Sequence, residues 1–409
     1  MVRAPFVRRL FIGRKTVVIT AIGLTVVFGA GFVAFAATNP VTAGQSSSSA
    51  SSTGGTDDTG GNAINAIPPG PIPGGSAPGA GGFNAVSCVS STFCVLVGAD
   101  LSGKGIVSLT SDGASQSQSI SLPSGTPTLR SVSCSSDTAC IAAGANDVLS
   151  TSDAGQVWNS HVLDSPGLDL QTASCPSVSL CLVTGTSTQL VGGSSSADPG
   201  LPVARGEIYV SSDGGTTWAE ASIPPQVTSV SSVACPSTTT CVAVGSSLLV
   251  STDGGTTWQV VDVNGGFQNL TSISCSSSTT CVAVGPNPEG ATTPTLGAGA
   301  VETTDGGATF SQLSMPTSTP TLSNISCSSA LCVASGNDTS ATNPVTLVSS
   351  TDGGTNWGPT SAPSGLAAVA GLSCWGSSSC TAVGSTTTGS ATTTWSPSGG
   401  WGALSSSTP

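Results

Sequence analysis

Fourteen cysteines are the residues with the most regular spacing in this 409-residue chain. They form seven pairs; six pairs have five residues between the two cysteines, and one has four. Closely spaced cysteines either bind a metal ion as thiolates or form disulfides. The pairs are Cys88/Cys94, Cys134/Cys140, Cys175/Cys181, Cys235/Cys241, Cys275/Cys281, Cys327/Cys332 and Cys374/Cys380.

The spacing of these pairs favours disulfides over metal binding. A structural metal site needs four converging ligands, commonly with about two to four residues between paired cysteines, and this chain has a single histidine. Cysteines on either side of a five-residue hairpin loop instead face each other across an antiparallel pair. Their Cα atoms are then about 4.5–5.5 Å apart, within disulfide range. We therefore predict a local disulfide in every pair and no metal site.

An acidic turn follows the cysteines in most of the repeats. In the pattern Ser/Thr-x-Asp-x-Gly-x-x-Trp, the carboxylate can accept backbone N–H groups, glycine can adopt a positive φ, and the aromatic ring can pack beside the turn. The first copy is degenerate after its Asp, and the seventh, SPSGGW, has no Asp. The acids are Asp112, Asp153, Asp213, Asp253, Asp305 and Asp352, and the aromatic residues are Trp158, Trp218, Trp258, Phe310 and Trp357.

The repeated turn resembles the Asp-box, also called the bacterial neuraminidase repeat, over about 330 residues. Proteins that share this repeat include sialidases, xyloglucanases, sortilin-type receptors and the photosystem II assembly factor. The resemblance implies a β-propeller in which the box is a structural turn on the face away from the active site. Because the same box occurs in proteins of unrelated function, it predicts a fold and a structural role for these acids, but no activity.

The resemblance does not extend to a sialidase active site. Such a site would need three arginines to hold the substrate carboxylate, a Tyr–Glu pair and an acidic Asp. Beyond residue 37 the chain has only two arginines, Arg130 and Arg205, and its single tyrosine is Tyr209. We therefore predict no catalytic residues. Xyloglucanase-like hydrolysis needs only two carboxylates and stays open by residue count, although the long insertions carry no aromatic residues to form a sugar platform.

The cysteine pair and the acidic turn belong to one unit that occurs seven times. First cysteines of successive units are 40 to 60 residues apart, and each unit has four short strands. Strand A ends at the first cysteine, B begins at the second, C leads into the acidic turn, and D follows it. This period is typical of propeller blades. We predict an all-β fold, a seven-bladed β-propeller of four-stranded blades over residues 83–409, with every blade complete in sequence order.

Insertions between strands B and C distinguish one face of the predicted propeller. From the second cysteine to the acid, unit 4 needs 12 residues, but unit 3 has 32 and unit 5 has 24. The extra residues form the predicted loops Thr186–Arg205 and Pro286–Gly299, on what we call the loop face. Disulfides and acidic turns lie at the opposite ends of the strands, on the stapled face. Because variable loops on a rigid scaffold commonly carry recognition, the predicted binding residues are Asp198, Arg205, Glu207 and Glu289.

The first 82 residues differ from the repeats in composition. Residues 1–15 contain five of the eight basic residues, residues 16–37 have no charge, and residues 38–82 are rich in Ser, Gly and Pro. About 20 apolar residues suffice to cross a bilayer, and preceding basic residues keep that end in the cytoplasm. We predict a basic cytoplasmic N-terminus, a transmembrane signal-anchor helix and a disordered linker. A cleaved signal peptide is the alternative for residues 16–37, and the protein would then be secreted.

The net charge of the chain after residue 37 and its predicted location disfavour several classes of ligand. After residue 37, three basic residues oppose 20 acids, which disfavours binding to nucleic acid or anionic lipid. We expect no cofactor, and membrane contact through the N-terminal helix only. The sequence predicts a noncatalytic module outside the cytoplasm that binds an extracellular protein or glycan through its loop face. A glycan-binding or glycoside-hydrolase propeller of the sialidase or xyloglucanase kind is the alternative.

Overall fold

The computed structural model describes residues 81–111, 117–192, 200–263, 267–286, 299–316, 321–337 and 344–406. These residues form seven antiparallel sheets arranged in a ring, which confirms the predicted seven-bladed propeller of four-stranded blades. No helix within these ranges is long and apolar enough to cross a membrane. The predicted transmembrane segment 16–37 lies outside them, as does the predicted linker 38–82 apart from Gly81 and Gly82.

Each of the first four blades pairs its strands in the order A–B–C–D. Blade 1 contains β1 Gly82–Ser90, β2 Phe93–Ala99, β3 Gly105–Thr110 and β4 Ser117–Ile120; blade 2 contains β5 Ser131–Cys134, β6 Cys140–Gly144, β7 Asp147–Thr151 and β8 Asn159–Val162; blade 3 contains β9 Asp169–Ser174, β10 Cys181–Val191, β11 Leu201–Ser211 and β12 Ala219–Glu220; blade 4 contains β13 Val230–Ala234, β14 Cys241–Gly245, β15 Leu249–Ser251 and β16 Gln259–Val260.

The last three blades follow the same order, and blade 7 divides its outer strand into two short pieces that both pair with strand C. Blade 5 contains β17 Ser272–Cys275, β18 Cys281–Gly285, β19 Gly299–Thr303 and β20 Ser311–Gln312; blade 6 contains β21 Asn324–Ser328, β22 Leu331–Asn337, β23 Val345–Ser350 and β24 Gly358–Thr360; blade 7 contains β25 Leu366–Trp375, β26 Ser379–Thr386, β27 Ser390–Ser396, β28 Gly400–Trp401 and β29 Ser405–Ser406.

Strand B is the most deeply buried strand because neighbouring blades cover both of its faces. All five residues of β14, with the sequence CVAVG, are buried, as expected for a strand covered on both sides. Gly245, the last residue of β14, is required for a steric reason. A Cβ atom on Gly245 would overlap the carbonyl oxygen of Ser229, where the chain enters strand A.

The hydrophobic core lies between the blades. Among the described residues it forms seven clusters, each shared by two neighbouring blades. Leu182 and Ile208 of blade 3, for example, pack with Val233 of blade 4. Phe83 of blade 1 packs in the same way with Val383 of blade 7. The ring therefore closes by packing, with each blade complete in sequence order.

Candidate functional site

All seven predicted disulfides are present, one in each blade. The two Cα atoms of each pair are 3.9–4.1 Å apart. This short distance is typical of a non-hydrogen-bonded antiparallel pair. The N–H group of the first cysteine therefore points away from strand B and is available to the preceding blade.

The second cysteine of each pair lies inside its blade, at or near the start of the buried strand B. This burial gives the second cysteines a structural role, because their buried sulfur atoms are not accessible to a ligand or a metal ion. The sulfur of each is bonded to the first cysteine of its own blade. Fully buried are Cys94, Cys241, Cys281, Cys332 and Cys380, and Cys140 and Cys181 are nearly so.

The turn at Asp253 shows how an acidic turn is held together. Its Oδ1 accepts the N–H of Thr257 at 2.9 Å, and its Oδ2 accepts the Thr257 hydroxyl at 2.6 Å. The Ser251 hydroxyl donates to Asp253 Oδ1 at 2.7 Å and accepts the N–H of Gly255 at 2.9 Å. Trp258 is buried and donates from Nε1 to the carbonyl of Gly255 at 2.8 Å. Both carboxylate oxygens are thus engaged within the turn.

These bonds lower the pKa of the turn acids. The pKa of Asp213, Asp253 and Asp305 is about 2, first because of the hydroxyl of the threonine four residues later and then because of its N–H. For Asp352 the N–H of Asn356 is the main cause, and the pKa is again about 2. At Asp153 the Oδ1 atom accepts the Thr151 hydroxyl and the N–H of Val157, but Val157 has no side-chain donor for Oδ2. Asp112 lies outside the described residues.

The aromatic residues of the turns are not all equivalent. Trp158, like Trp258, is buried and donates from Nε1 to a glycine carbonyl of its turn, and Trp357 makes the same bond while half-buried. The buried Nε1 of Trp218 has no hydrogen-bond partner. Phe310 packs against the core between blades 4 and 5. The aromatic side chain therefore serves mainly to anchor the turn to the blade.

The acidic turn of a blade rests on the loop that joins its two cysteines. Gly254 donates from N–H to the carbonyl of Thr239 at 2.8 Å, and Gly214 donates to that of Ser179 at 2.8 Å. Thr239 lies between Cys235 and its partner in the same blade. Disulfides and acidic turns therefore share the stapled face.

The prediction of a loop over Thr186–Arg205 is wrong for most of these residues. β10 and β11 continue through them and pair without interruption from Thr186↔Gly206 to Val191↔Leu201. The insertion is a projecting two-stranded hairpin, and only its tip, residues 193–199, lies outside the described residues. Most of the predicted loop Pro286–Gly299 lies outside them as well.

The outer half of this hairpin is apolar and exposed. Leu201 is 75% exposed, Leu190 61%, Val191 54% and Val203 46%. Val191 is directly opposite Leu201 across the two strands, so the two side chains are on the same face, with Val203 two residues along. We call Val191, Leu201 and Val203 the hairpin patch.

Glu207 is buried at the base of the hairpin, so it does not meet a partner at the surface as predicted. It is 2% exposed. Its Oε1 accepts hydroxyl hydrogen bonds from Ser187 and, at 3.0 Å, from Ser165. Its Oε2 accepts the hydroxyl of Tyr209 at 2.7 Å. Burial, followed by this bond, raises the pKa of Tyr209. The network joins the hairpin to the connection between blades 2 and 3.

The other predicted binding residues have different positions. Arg205 is on the surface of the hairpin and forms an ion pair with Glu220 at 2.8 Å. Asp198 and Glu289 lie outside the described residues. The structure therefore brings together Arg205, Glu207 and Tyr209 along one strand, with only Arg205 accessible.

The basic residues of the described ranges lie on one face of the propeller. Three basic residues lie on the loop face: Lys104 between strands B and C of blade 1, Arg130 at the start of strand A in blade 2, and Arg205. Within the described ranges, the stapled face carries acids such as Asp137 and the turn acids, and no basic residue. In the same ranges no three His, Cys, Asp or Glu side chains are close enough to hold a metal ion.

A second repeated contact, in strand A, was not predicted from the sequence. The serine before a first cysteine accepts the N–H of the first cysteine in the next blade, at 2.9–3.0 Å. The repeated Ser–Cys dipeptide was the available signal. We call this set the seryl ring; its bonds join Ser87 to Cys134, Ser133 to Cys175, Ser274 to Cys327, Ser326 to Cys374, and Ser373 to Cys88.

No family model and no curated protein matches this sequence. Solved structures do match the fold. YCF48 from Cyanidioschyzon merolae superposes with a TM-score of 0.51 at 15% identity, over 79% of this chain and 98% of that chain. The GH74 xyloglucanase from Xanthomonas campestris gives 0.52 at 14% identity, over 77% of this chain and 52% of that chain. This chain thus spans about half of that enzyme.

A third neighbour is a propeller built from another kind of repeat. The WD40 repeats of RRP9 give a TM-score of 0.52 at 10% identity, over 74% of this chain and 86% of that chain. At such low identities the similarity shows the propeller fold alone. The activity must therefore be argued from the residues on the two faces of this chain.

Proposed function

We propose that this chain is a noncatalytic Asp-box propeller that binds a protein partner outside the cytoplasm through its loop face. The exposed hairpin patch carries this proposal. Contiguous apolar side chains on an otherwise polar surface commonly mark an interaction site. Leu201, three-quarters exposed, gains most from being covered.

The hairpin is also firmly held, which favours specific binding. Its base is joined to the body of the propeller by the buried Glu207 and its three hydroxyl partners. A rigid binding element loses little conformational entropy when it docks. The hairpin patch is therefore both exposed to solvent and held in one orientation relative to the propeller.

The compartment is supported by the disulfides. Seven disulfides persist best in an oxidising environment such as the cell exterior. Together with the uncharged segment 16–37 and the basic residues before it, they support a propeller anchored to the membrane and held outside the cytoplasm.

The experiment compares the full chain with a variant carrying Val191→Ser, Leu201→Ser and Val203→Ser. Each protein is exposed to the surface of source cells, cross-linked, and analysed by quantitative mass spectrometry. A partner should be recovered with the wild type and lost with the triple variant, whose stability should change by about 0.5 kcal/mol or less for each exposed site. Leu101→Ser, at an equally exposed apolar residue in blade 1, is the matched control and should retain the partner.

A second control changes the stapled face. Asp253→Ala should lower stability by about 1–2 kcal/mol through lost turn hydrogen bonds, while binding per folded molecule stays intact. Equal recovery with the triple variant and the wild type would overturn the proposal. So would binding to a glycan array that the triple variant leaves unchanged, which would favour the glycan-binding alternative.

A further inference from the structure

The seryl ring is open at two adjacent junctions. Residue 234, before the first cysteine of blade 4, is alanine where the other blades have serine. No hydroxyl therefore faces the N–H of Cys275 in blade 5. At the junction before it, among the described residues, Ser174 makes no bond to the N–H of Cys235.

A cavity that is broadly open to solvent lies where the ring is open. It has a volume of about 400 Å³ and is lined by the ends of strand A in blades 3, 4 and 5, including Ser174, Ala234, Cys235 and Cys275. None of its lining residues is charged or aromatic. Since the N–H of a first cysteine points away from strand B, the N–H groups of Cys235 and Cys275 are donors at this cavity.

The opening is local and does not reflect loose packing between the blades. Two residues earlier on strand A, the same junctions are bonded: Thr172 donates from its hydroxyl to the carbonyl of Ser231 at 2.9 Å, and Ile273 donates from N–H to the Ser232 hydroxyl at 3.3 Å. Blades 3, 4 and 5 are thus joined as their neighbours are, and only the outer layer of contacts is missing.

The negative charge of the stapled face determines which hydrogen-bond acceptors could bind to these two N–H groups. Its turn acids are ionised, and no basic residue accompanies them in the described ranges. An anionic ligand would be repelled by this face, whereas a neutral oxygen acceptor would not. A peptide carbonyl is such an acceptor, and the cavity lies within the usual size range of small-ligand sites.

We propose that this cavity is a second binding site, which takes carbonyl oxygens of a neutral peptide segment through the backbone N–H groups of Cys235 and Cys275. The site lies on the stapled face and is independent of the partner proposed for the loop face. Ala234 determines where the site is, because a serine there would satisfy the N–H of Cys275 from within the ring.

The test uses the full chain with ¹⁵N-labelled cysteine, oxidised and in detergent micelles. The probe is blocked triglycine, acetylated at one end and methylamidated at the other, and acetate is the anionic comparison. The blocked peptide should shift the Cys235 and Cys275 amide signals in a saturable manner, with the other cysteine signals nearly unchanged. Ala234→Ser should weaken this response about tenfold or more, and its melting temperature checks that it is folded.

Ser133→Ala is the matched control, because it opens the ring between blades 2 and 3 and leaves the cavity unchanged; the Cys275 response should persist. The proposal is overturned if the peptide gives no saturable shift. It is also overturned if Ala234→Ser responds as strongly as the wild type, or if acetate replaces the peptide as the ligand that binds.

Discussion

At the scale of single residues, the acidic turns depend on carboxylates that remain ionised. In each of four turns both carboxylate oxygens accept hydrogen bonds from a residue four positions later, and the pKa is about 2. These bonds need the charged form. The stability of the turns therefore depends on pH in the acidic range.

Acidification should destabilise the propeller between about pH 4 and pH 2. The turn acids bind protons more tightly in the unfolded chain, with an ordinary pKa of 3.8, than in the folded chain, with a pKa of about 2. Their stabilisation is complete above about pH 4 and is lost as the pH falls through about 2. Melting temperatures measured by circular dichroism at about pH 6, 4, 3 and 2 should be level at first and then fall.

Asp253→Asn provides the control for this prediction. This variant cannot ionise at one turn, so it should start less stable and lose less on acidification. A wild-type melting temperature that stays constant down to about pH 2 would contradict the assignment of these bonds to the ionised carboxylates.

The sequence could predict these turns because each is local. The Asp and its main partners are within four residues of each other, so one pattern contains both acceptor and donors. Glu207 is the opposite case. Its partner Ser165 is 42 residues away, and no local pattern distinguishes a buried glutamate with hydroxyl partners from an exposed one.

At the scale of elements, the hairpin of blade 3 shows why the length of an insertion did not predict its structure. The two arms, TSTQLV and LPVAR, contain β-branched and apolar residues and are in register across eleven pairs with the blade strands. The hairpin extends two strands that are already paired in the blade, so its formation needs no separate nucleation step. The sequence did place the insertion between strands B and C, because the cysteine and the acid mark the two ends.

Glu207→Ala should loosen the hairpin while the rest of the propeller stays folded. The variant leaves the hydroxyls of Ser187 and Tyr209 without their acceptor, and an unsatisfied buried polar group costs about 1–3 kcal/mol. Hydrogen exchange measured by mass spectrometry should become about tenfold to a hundredfold faster in peptides covering 181–191 and 201–211.

Glu220→Ala is the matched control in the same blade. It removes the exposed ion pair with Arg205, which is worth about 1 kcal/mol or less, so exchange in the hairpin should hardly change. Equal acceleration by both variants would show that the buried network does not hold the hairpin.

At the scale of the whole molecule, the blades are joined by packing and by the seryl ring. The repeat and its strand order could be predicted because the cysteines and turns mark every blade. The contacts between blades could not, since they depend on which strand lines the centre of the ring. The five seryl bonds join each participating blade to the next in one direction.

Ser326→Ala should cost about 1 kcal/mol, because it removes the acceptor of the Cys374 N–H at 2.9 Å between blades 6 and 7. Ser174→Ala is the matched control, since this serine occupies the same place in the repeat without making the bond. Urea unfolding should show a lower midpoint for Ser326→Ala and almost none of that decrease for Ser174→Ala. Equal midpoints for the two variants would mean that the seryl bonds add nothing to stability.

The closure between blades 7 and 1 has a consequence for how such a chain can arise and be rearranged. Blade 7 is joined to blade 1 by the same kind of serine–cysteine bond that joins blade 1 to blade 2. In addition, the hydroxyl of Ser390, beside the last strand, donates to the carbonyl of Gly81 at 3.2 Å. The two ends of the ring are therefore adjacent, and no blade is built from both of them. A gene encoding the same ring could begin at any connection between blades, so circular permutation and the duplication of single units are both compatible with this architecture.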